Sequence, residues 1–213
     1  MTDKKKERRE AARRKRVEEQ RRRQKALRRK KLIRYGALGA VALVIVSFTG
    51  FQVYRSKVQV GRDLKAAGCS SIEKKPIMTS TPHLQQDEPA IEYNSSPPTS
   101  GRHLSATAPW GSLDEAIEDK LLIHNLEHGG IVIHHKGLPD EQETELEEFV
   151  DAFPSSNGGV ISQPNPKIDK PVAYASWGRL QTCDEFKLSV ARNFVKKNCS
   201  KGPEQTGLAC TGP

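Results

Sequence analysis

The chain reads as an α/β (α+β) protein: an N-terminal basic helix or arm, one transmembrane helix, then a small extracytoplasmic sandwich with helices on a three- or four-stranded sheet. Three observations carry that prediction. Twenty uncharged residues run from Tyr35 to Tyr54, bracketed by Arg34 and Arg55. Beyond them, segments of helical period alternate with short β-branched runs. All four cysteines, Cys69, Cys183, Cys199 and Cys210, lie on the far side of the apolar run.

The charge is unevenly spread. Residues 1–34 hold 18 Lys/Arg against 5 Asp/Glu, or +13, whereas the rest holds 17 against 21, or −4. The high isoelectric point therefore belongs to a tail and says nothing about the folded part. Residues 3–34 have few helix breakers and read as a solvated helix or a basic arm drawn to anionic lipid head groups. No aromatic residue precedes Tyr35 to stack on bases, so no specific nucleic-acid binding is expected.

At about 1.5 Å per residue, residues 35–54 reach roughly 30 Å, the thickness of a bilayer's hydrocarbon core. The two tyrosines suit the interfaces, and the basic tail belongs in the cytoplasm by the positive-inside rule. A cleaved signal peptide is the competing reading, but the run is long for one and lacks a clear small-x-small cleavage site. The predicted organisation is a cytoplasmic tail (1–34), a plasma-membrane span (35–54), a stalk (55–68) and an extracytoplasmic, disulfide-stapled domain (69–213).

An even cysteine number in an oxidising compartment argues for disulfides, with three connectivities. A continuous helix over 184–198 would hold Cys183 and Cys199 more than about 20 Å apart, beyond disulfide reach. Cys69–Cys183 with Cys199–Cys210 is the preferred pairing. No C-x-x-C is present to support a cysteine metal site.

After the stalk, residues 69–98 are rich in Pro, Ser and Thr, with one strand-like piece at Ala90–Tyr93. Pro97-Pro98-Thr99-Ser100-Gly101-Arg102-His103 is a rigid loop, with two prolines fixing its approach and a glycine allowing a sharp bend. Ala108-Pro109-Trp110-Gly111 is a turn with an aromatic anchor. A helix over 114–128, capped by Asp114, would end on a left-handed Gly129 and run into a strand at Ile131–His135. Asp140–Phe153 is an amphipathic helix, with Leu146, Phe149, Val150 and Phe153 on one face. Ser155–Gly159 is a turn, Val160–Ser162 a short strand and Pro171–Trp177 a longer one. The last helix shows Phe186, Val190 and Phe194 on one stripe. No internal repeat, GxGxxG, P-loop or G-x-S-x-G occurs.

His124-Asn125-Leu126-Glu127-His128-Gly129-Gly130 is the most informative stretch. On a helix His124 and His128 stack on one face beside Glu127, and Ile117 and Leu121 share that face, so the imidazoles should point to the apolar side. Five of the six histidines fall between His103 and His135. Neutral imidazole is the commonest ligand for borderline metals, and an all-histidine site without Met or Cys suits copper or zinc. The expected ligands are His103, His124 and His128, with His83 as a fourth, and Glu127 orienting an imidazole without holding the ion. His134 and His135 face opposite sides of a strand, so at most one could join.

Other readings compete. H-x-x-E-H is the inverzincin pattern, with two histidine ligands and Glu127 as base, but the glycine pair ends the helix early and no distal acidic ligand is visible. Metal-free catalysis would use Ser100 or Glu127 with a histidine, unsupported by a nucleophile elbow. A structural histidine network, or a partner-binding domain anchored by Trp110 and Trp177, is the non-catalytic alternative.

The basic tail, the single anchor, Gly68-Cys69, Pro-Pro-Thr-Ser-Gly-x-His, His-Asn-Leu-Glu-His-Gly-Gly and a late Trp-Gly before Cys together resemble the bacterial family known as domain of unknown function 3105. Its members are commonly single-pass or exported. The resemblance spans about residues 66–200. It implies shared positions at His83, Tyr93, Pro97, Pro98, Thr99, Ser100, Gly101, His103, His124, Asn125, Glu127, His128, Gly129, Trp177, Gly178 and Cys183. It supports Cys69–Cys183 and brings no established activity. The family pattern has an aromatic where Ser112-Leu113 stand here, and another near His134 or His135, which makes those two histidines poor candidates for a shared site.

Overall fold

The computed structural model describes residues 3–89, 91–204, 206–210 and 212. Its elements, in chain order, are α1 (Asp3–Ala66), β1 (Glu73–Lys74), β2 (Gly111–Ser112), α2 (Asp119–Glu127), β3 (Ile131–His135), α3 (Asp140–Asp151), β4 (Val160–Pro164), β5 (Val172–Ser176), β6 (Arg179–Cys183) and α4 (Leu188–Asn198). The chain divides into two compact units, Met1–Ser56 and Lys57–Pro213.

The first unit is helical from Asp3 on. Among the described residues, α1 is the one helix long and apolar enough to cross a membrane. In its apolar stretch Val44, Val46, Phe48 and Phe51 stand more than half exposed. Water would penalise each of them by about 1–3 kcal/mol relative to burial, a penalty lipid removes.

The second unit is a mixed sheet in the order β1-β6-β5-β3-β4-β2. Parallel strands cannot be joined by a tight turn, and α3 supplies the crossover between β3 and its parallel neighbour β4. β5 and β6 form a hairpin around Trp177-Gly178, with Gly178 at φ +64. One face of the sheet (Ile131, Ile133, Val172, Tyr174) packs on Leu146, Phe149 and Val150 of α3 and on Val190 and Phe194 of α4. The other face (Val132, Ile161, Ala175) packs on Leu122 and Leu126 of α2. The helices thus enclose the sheet from both sides. The expected stalk is helical up to Ala66, its Leu64 packs on the first of these clusters, and Ser189 donates to Asp63 Oδ2 at 2.6 Å.

Four expectations need correction. The sheet has six strands, counting two-residue β1 and β2, and β6 was not foreseen because Arg-Leu-Gln-Thr-Cys alternates polar with apolar only weakly. Residues 91–93 form no strand, while Ala90 lies outside the described residues. The helix expected from Asp114 starts at Asp119, because the chain before it is spent on β4: Leu113 N–H donates to Ser162 O (2.9 Å) and Ile117 N–H to Gln163 Oε1 (2.7 Å). The last helix begins at Leu188, not 184. The disulfides are Cys69–Cys183 and Cys199–Cys210, the preferred pairing.

Candidate metal centre

α2 ends in a glycine motif that points its last turn. Gly129, at φ +88, donates to Leu126 O (2.9 Å) and Gly130 to Asn125 O (2.8 Å), the paired bonds of a left-handed helix stop. Gly130 must be glycine, since a Cβ there would lie 2.7 Å from both Asn125 O and the Trp110 ring. That places Trp110 against the helix end, half-buried beside Leu122 and Leu126. Leu122 and Leu126 face the sheet. His124 is two residues on from Leu122, about 200° round the helix, so the imidazoles do not share the sheet-facing apolar stripe as expected. His124 turns towards His83 and the loop that carries His103.

That loop is tied down on all sides. Pro97 to Gly101 are buried. Ser100 Oγ accepts from Met78 N–H (3.0 Å), and Tyr93 OH donates to Arg102 O (3.0 Å). Burial raises the Tyr93 phenol to about 12, Asp119 adding to it. Gly101 adopts φ +133 against the Tyr93 ring, where a Cβ would sit 2.9 Å from ring carbons. Leu84 N–H donates to His103 O and Leu104 N–H to Lys120 O, both 2.8 Å, stitching the His83 strand segment, the loop and α2 together. Asn125, fully buried, clamps Ala108 with both ends of its amide: Ala108 N–H donates to Oδ1 (2.8 Å), and Nδ2 donates to Ala108 O (3.0 Å).

The result is a cluster in which one ligand atom each of His83, His103, His124 and Glu127 lies within 4.8 Å of the others. Ring centroids are 5.0 Å apart for His83–His103 and His103–His124, and 5.5 Å for the stacked His83–His124 pair. The protons are assigned by the partners. His103 Nδ1 lies 2.7 Å from Gly101 O and His124 Nδ1 2.9 Å from Leu104 O. A carbonyl only accepts, so both Nδ1 atoms are donors and the ligand lone pair of each neutral ring is on Nε2. His103 Nε2 then stands 3.0 Å from Glu127 Oε2. Burial pushes the His124 pKa down, opposed by its bond to Leu104 O and by Glu127, with His128 and His103 adding to the downward shift. Main-chain carbonyls on the far nitrogens are how metal-binding imidazoles are oriented.

Glu127 therefore faces Nε2 of His103, the nitrogen opposite the ring's main-chain partner, and does not support the ring from behind. His128 sits apart from the first cluster. Its Nε2 is 3.0 Å from His124 Nε2 and 3.3 Å from Glu204 Oε2, and these three form a second cluster. Glu204 was not foreseen: nothing in Gly-Pro-Glu-Gln marks it as a ligand, and only the disulfide-closed segment 199–210 brings it to α2. Ser200 N–H donates to Gly129 O (2.8 Å) and Glu204 N–H to Glu127 O (3.1 Å).

The remaining histidines lie elsewhere. His134 Nδ1 accepts from Asn165 Nδ2 (3.1 Å) and Gln163 Nε2 (3.3 Å) within the second face of the sheet, and His135 lies 3.8 Å from Glu143. Trp177 meets His103 edge-on at 6.5 Å between centroids. A family model described as "Protein of unknown function (DUF3105)" matches residues 83–212, a stretch holding every residue of both clusters. No curated protein and no solved structure matches the chain.

Proposed function

The chain belongs to the family of proteins of unknown function DUF3105, and we propose that its second unit binds one divalent transition-metal ion, copper or zinc, through His83, His103, His124 and Glu127, in cell-envelope metal handling. The observation that carries this reading is the pairing of the two buried rings: each donates Nδ1–H to a main-chain carbonyl and keeps Nε2 for the cluster. With His103 Nε2 and Glu127 Oε2 3.0 Å apart, two electron-rich atoms confront each other unless a proton or a cation lies between. Tetrahedral zinc with bonds of about 2.0–2.1 Å needs ligand spacings of roughly 3.3–3.4 Å. The ligand atoms of the cluster all lie within 4.8 Å of one another, so tetrahedral spacing asks for adjustments of no more than about 1.5 Å between any pair. Imidazole with carboxylate suits zinc and copper(II) better than the harder ions.

The same reading places the domain outside the plasma membrane. The apolar part of α1 spans the bilayer as a single-pass anchor, and the +13 tail stays in the cytoplasm against anionic lipid. Two disulfides suit an oxidising compartment.

A metal-dependent hydrolase is the second reading, and Glu204 favours it: His124, His128 and Glu204 form the two-histidine, one-carboxylate set of zinc peptidases. It needs Glu127 as general base, yet Glu127 is 4% exposed and turned onto His103. Elemental analysis and zinc and copper titration of the full chain in detergent test the proposal. The expected result is one ion per chain, lost in His103→Ala and His124→Ala, without peptidase or esterase turnover. Absence of binding at micromolar metal would overturn it, and turnover abolished by Glu127→Gln with the ion retained would install the hydrolase.

A further inference from the structure

We infer that His128 and Glu204 form an outer acquisition position that captures the ion and hands it to the buried cluster through His124, the one residue common to both. This rests on the metal-binding reading above. Three observations point to it. Exposure falls along the route: the side chain of Glu204 is 59% exposed, that of His128 21%, that of Glu127 5% and that of His103 0%. An ion therefore meets Glu204 and His128 before Glu127 and His103, the two deepest inner ligands, while His83 is half-buried like His128.

Second, His124 has one lone pair to give. Its Nδ1–H is committed to Leu104 O, so Nε2 serves either the outer partners or the inner ones, and both clusters cannot be filled together. The ion keeps its bond to His124 Nε2 while His128 and Glu204 are exchanged for His83, His103 and Glu127. No electron changes hands in that step. At capture the proton that His128 Nε2 donates to His124 Nε2 moves to His128 Nδ1, and a proton held between His103 and Glu127 leaves to water as the ion passes inward.

Third, the outer carboxylate is placed with care. Segment 199–210 crosses the end of α2 so closely that a Cβ on Gly202 would run into Glu127 O and Gly129 N. The Cys199–Cys210 bridge closes that segment, and two main-chain bonds, from Ser200 to Gly129 and from Glu204 to Glu127, hold it down. A freely chosen surface loop needs neither device to put one glutamate beside one histidine.

Stopped-flow zinc uptake by the full chain in detergent, read by competition with a chromophoric chelator, tests the hand-over. Wild type should saturate at one zinc per chain. Glu204→Gln and His128→Ala should still reach that occupancy but load more slowly, about tenfold or more in Glu204→Gln, which loses a negative charge that concentrates cations at the opening. Unchanged rates in both variants overturn the hand-over alone, as do two zinc ions per chain or abolished equilibrium binding in His128→Ala. Should wild type take up no zinc, the hand-over and the reading beneath it fall together. If His128→Ala does not fold, exposed Glu204→Gln gives the rate by itself.

Discussion

His103 Nε2 lies 3.0 Å from Glu127 Oε2 while its Nδ1 donates to Gly101 O. Without a metal, that contact needs a proton between ring and carboxylate. Glu127→Gln removes the need, because an amide N–H can donate to the ring nitrogen. The metal-free variant should therefore melt at or above the wild-type temperature. Its zinc affinity should fall, about tenfold or more, because a neutral amide replaces an anionic oxygen. Paired thermal melts with chelator and with excess zinc check both signs. A destabilised metal-free variant would mark Glu127 as a purely structural partner of His103.

His134 supplies an independent pH test. Burial pushes its pKa down to about 3, with neighbouring His135 adding to the shift. An unfolded histidine titrates near about 6.5. Between these values the unfolded chain holds a proton that the folded chain lacks, so this contribution to stability is complete above the unfolded pKa and is lost as pH falls. The slope is about 1.4 kcal/mol per pH unit well below the unfolded pKa. His134→Gln does not titrate, so its urea-derived stability between about pH 6 and pH 4 should fall less steeply than wild type by that amount. Parallel slopes would show that His134 is not held neutral in the fold.

What could be read from residue order follows from local physics. Gly129 after an apolar-periodic run had one cheap conformation, and it takes it at φ +88. Leu146, Phe149, Val150 and Phe153 repeat at helical spacing, and all four are buried. The start of α2 was hidden because it depends on a partner 46 positions away, the Gln163 amide that takes Ile117 N–H out of the helix. β6 was hidden because a buried Gln181 stands where an apolar residue would have marked the strand. At the centre, the histidines were legible by type and spacing, whereas Glu204 was not, since only a loop closed by Cys199–Cys210 brings it near. Long-range contacts account for the start of α2 and for Glu204.

The two disulfides should differ in worth. Cys69 and Cys183 are separated by 114 positions and Cys199 and Cys210 by 11. Loop-closure entropy assigns about 4–5 kcal/mol to the first and about 3 kcal/mol to the second. Cys69→Ala/Cys183→Ala should thus cost more in non-reducing urea melts, all the more because Cys183 is fully buried in the main cluster. Cys199→Ala/Cys210→Ala should instead loosen the segment carrying Glu204, visible as faster hydrogen exchange at Ser200 and Glu204. Equal costs with unchanged exchange would contradict the strapping role.

Asn125 ties the centre to its loop through two bonds to one residue, and its charge-altered variants separate them. Asn125→Ala leaves Ala108 N–H and C=O without partners in the interior, a cost of about 2–4 kcal/mol. Asn125→Asp keeps the acceptor at Oδ1 but sets a second oxygen against Ala108 O, where Nδ2 donated at 3.0 Å. Only a protonated carboxyl restores that donor. The folded pKa of the new Asp should therefore lie above its unfolded value, near about 3.9. Its favourable contribution is then present at low pH and disappears as pH rises through the folded pKa. Relative to wild type, Asn125→Asp should be least destabilised near about pH 4 and worsen by up to about 1.4 kcal/mol per unit above it until that pKa is passed. Urea melts across that range give the difference directly. A deficit that does not change with pH would mean that the side chain of residue 125 does not reach the Ala108 carbonyl.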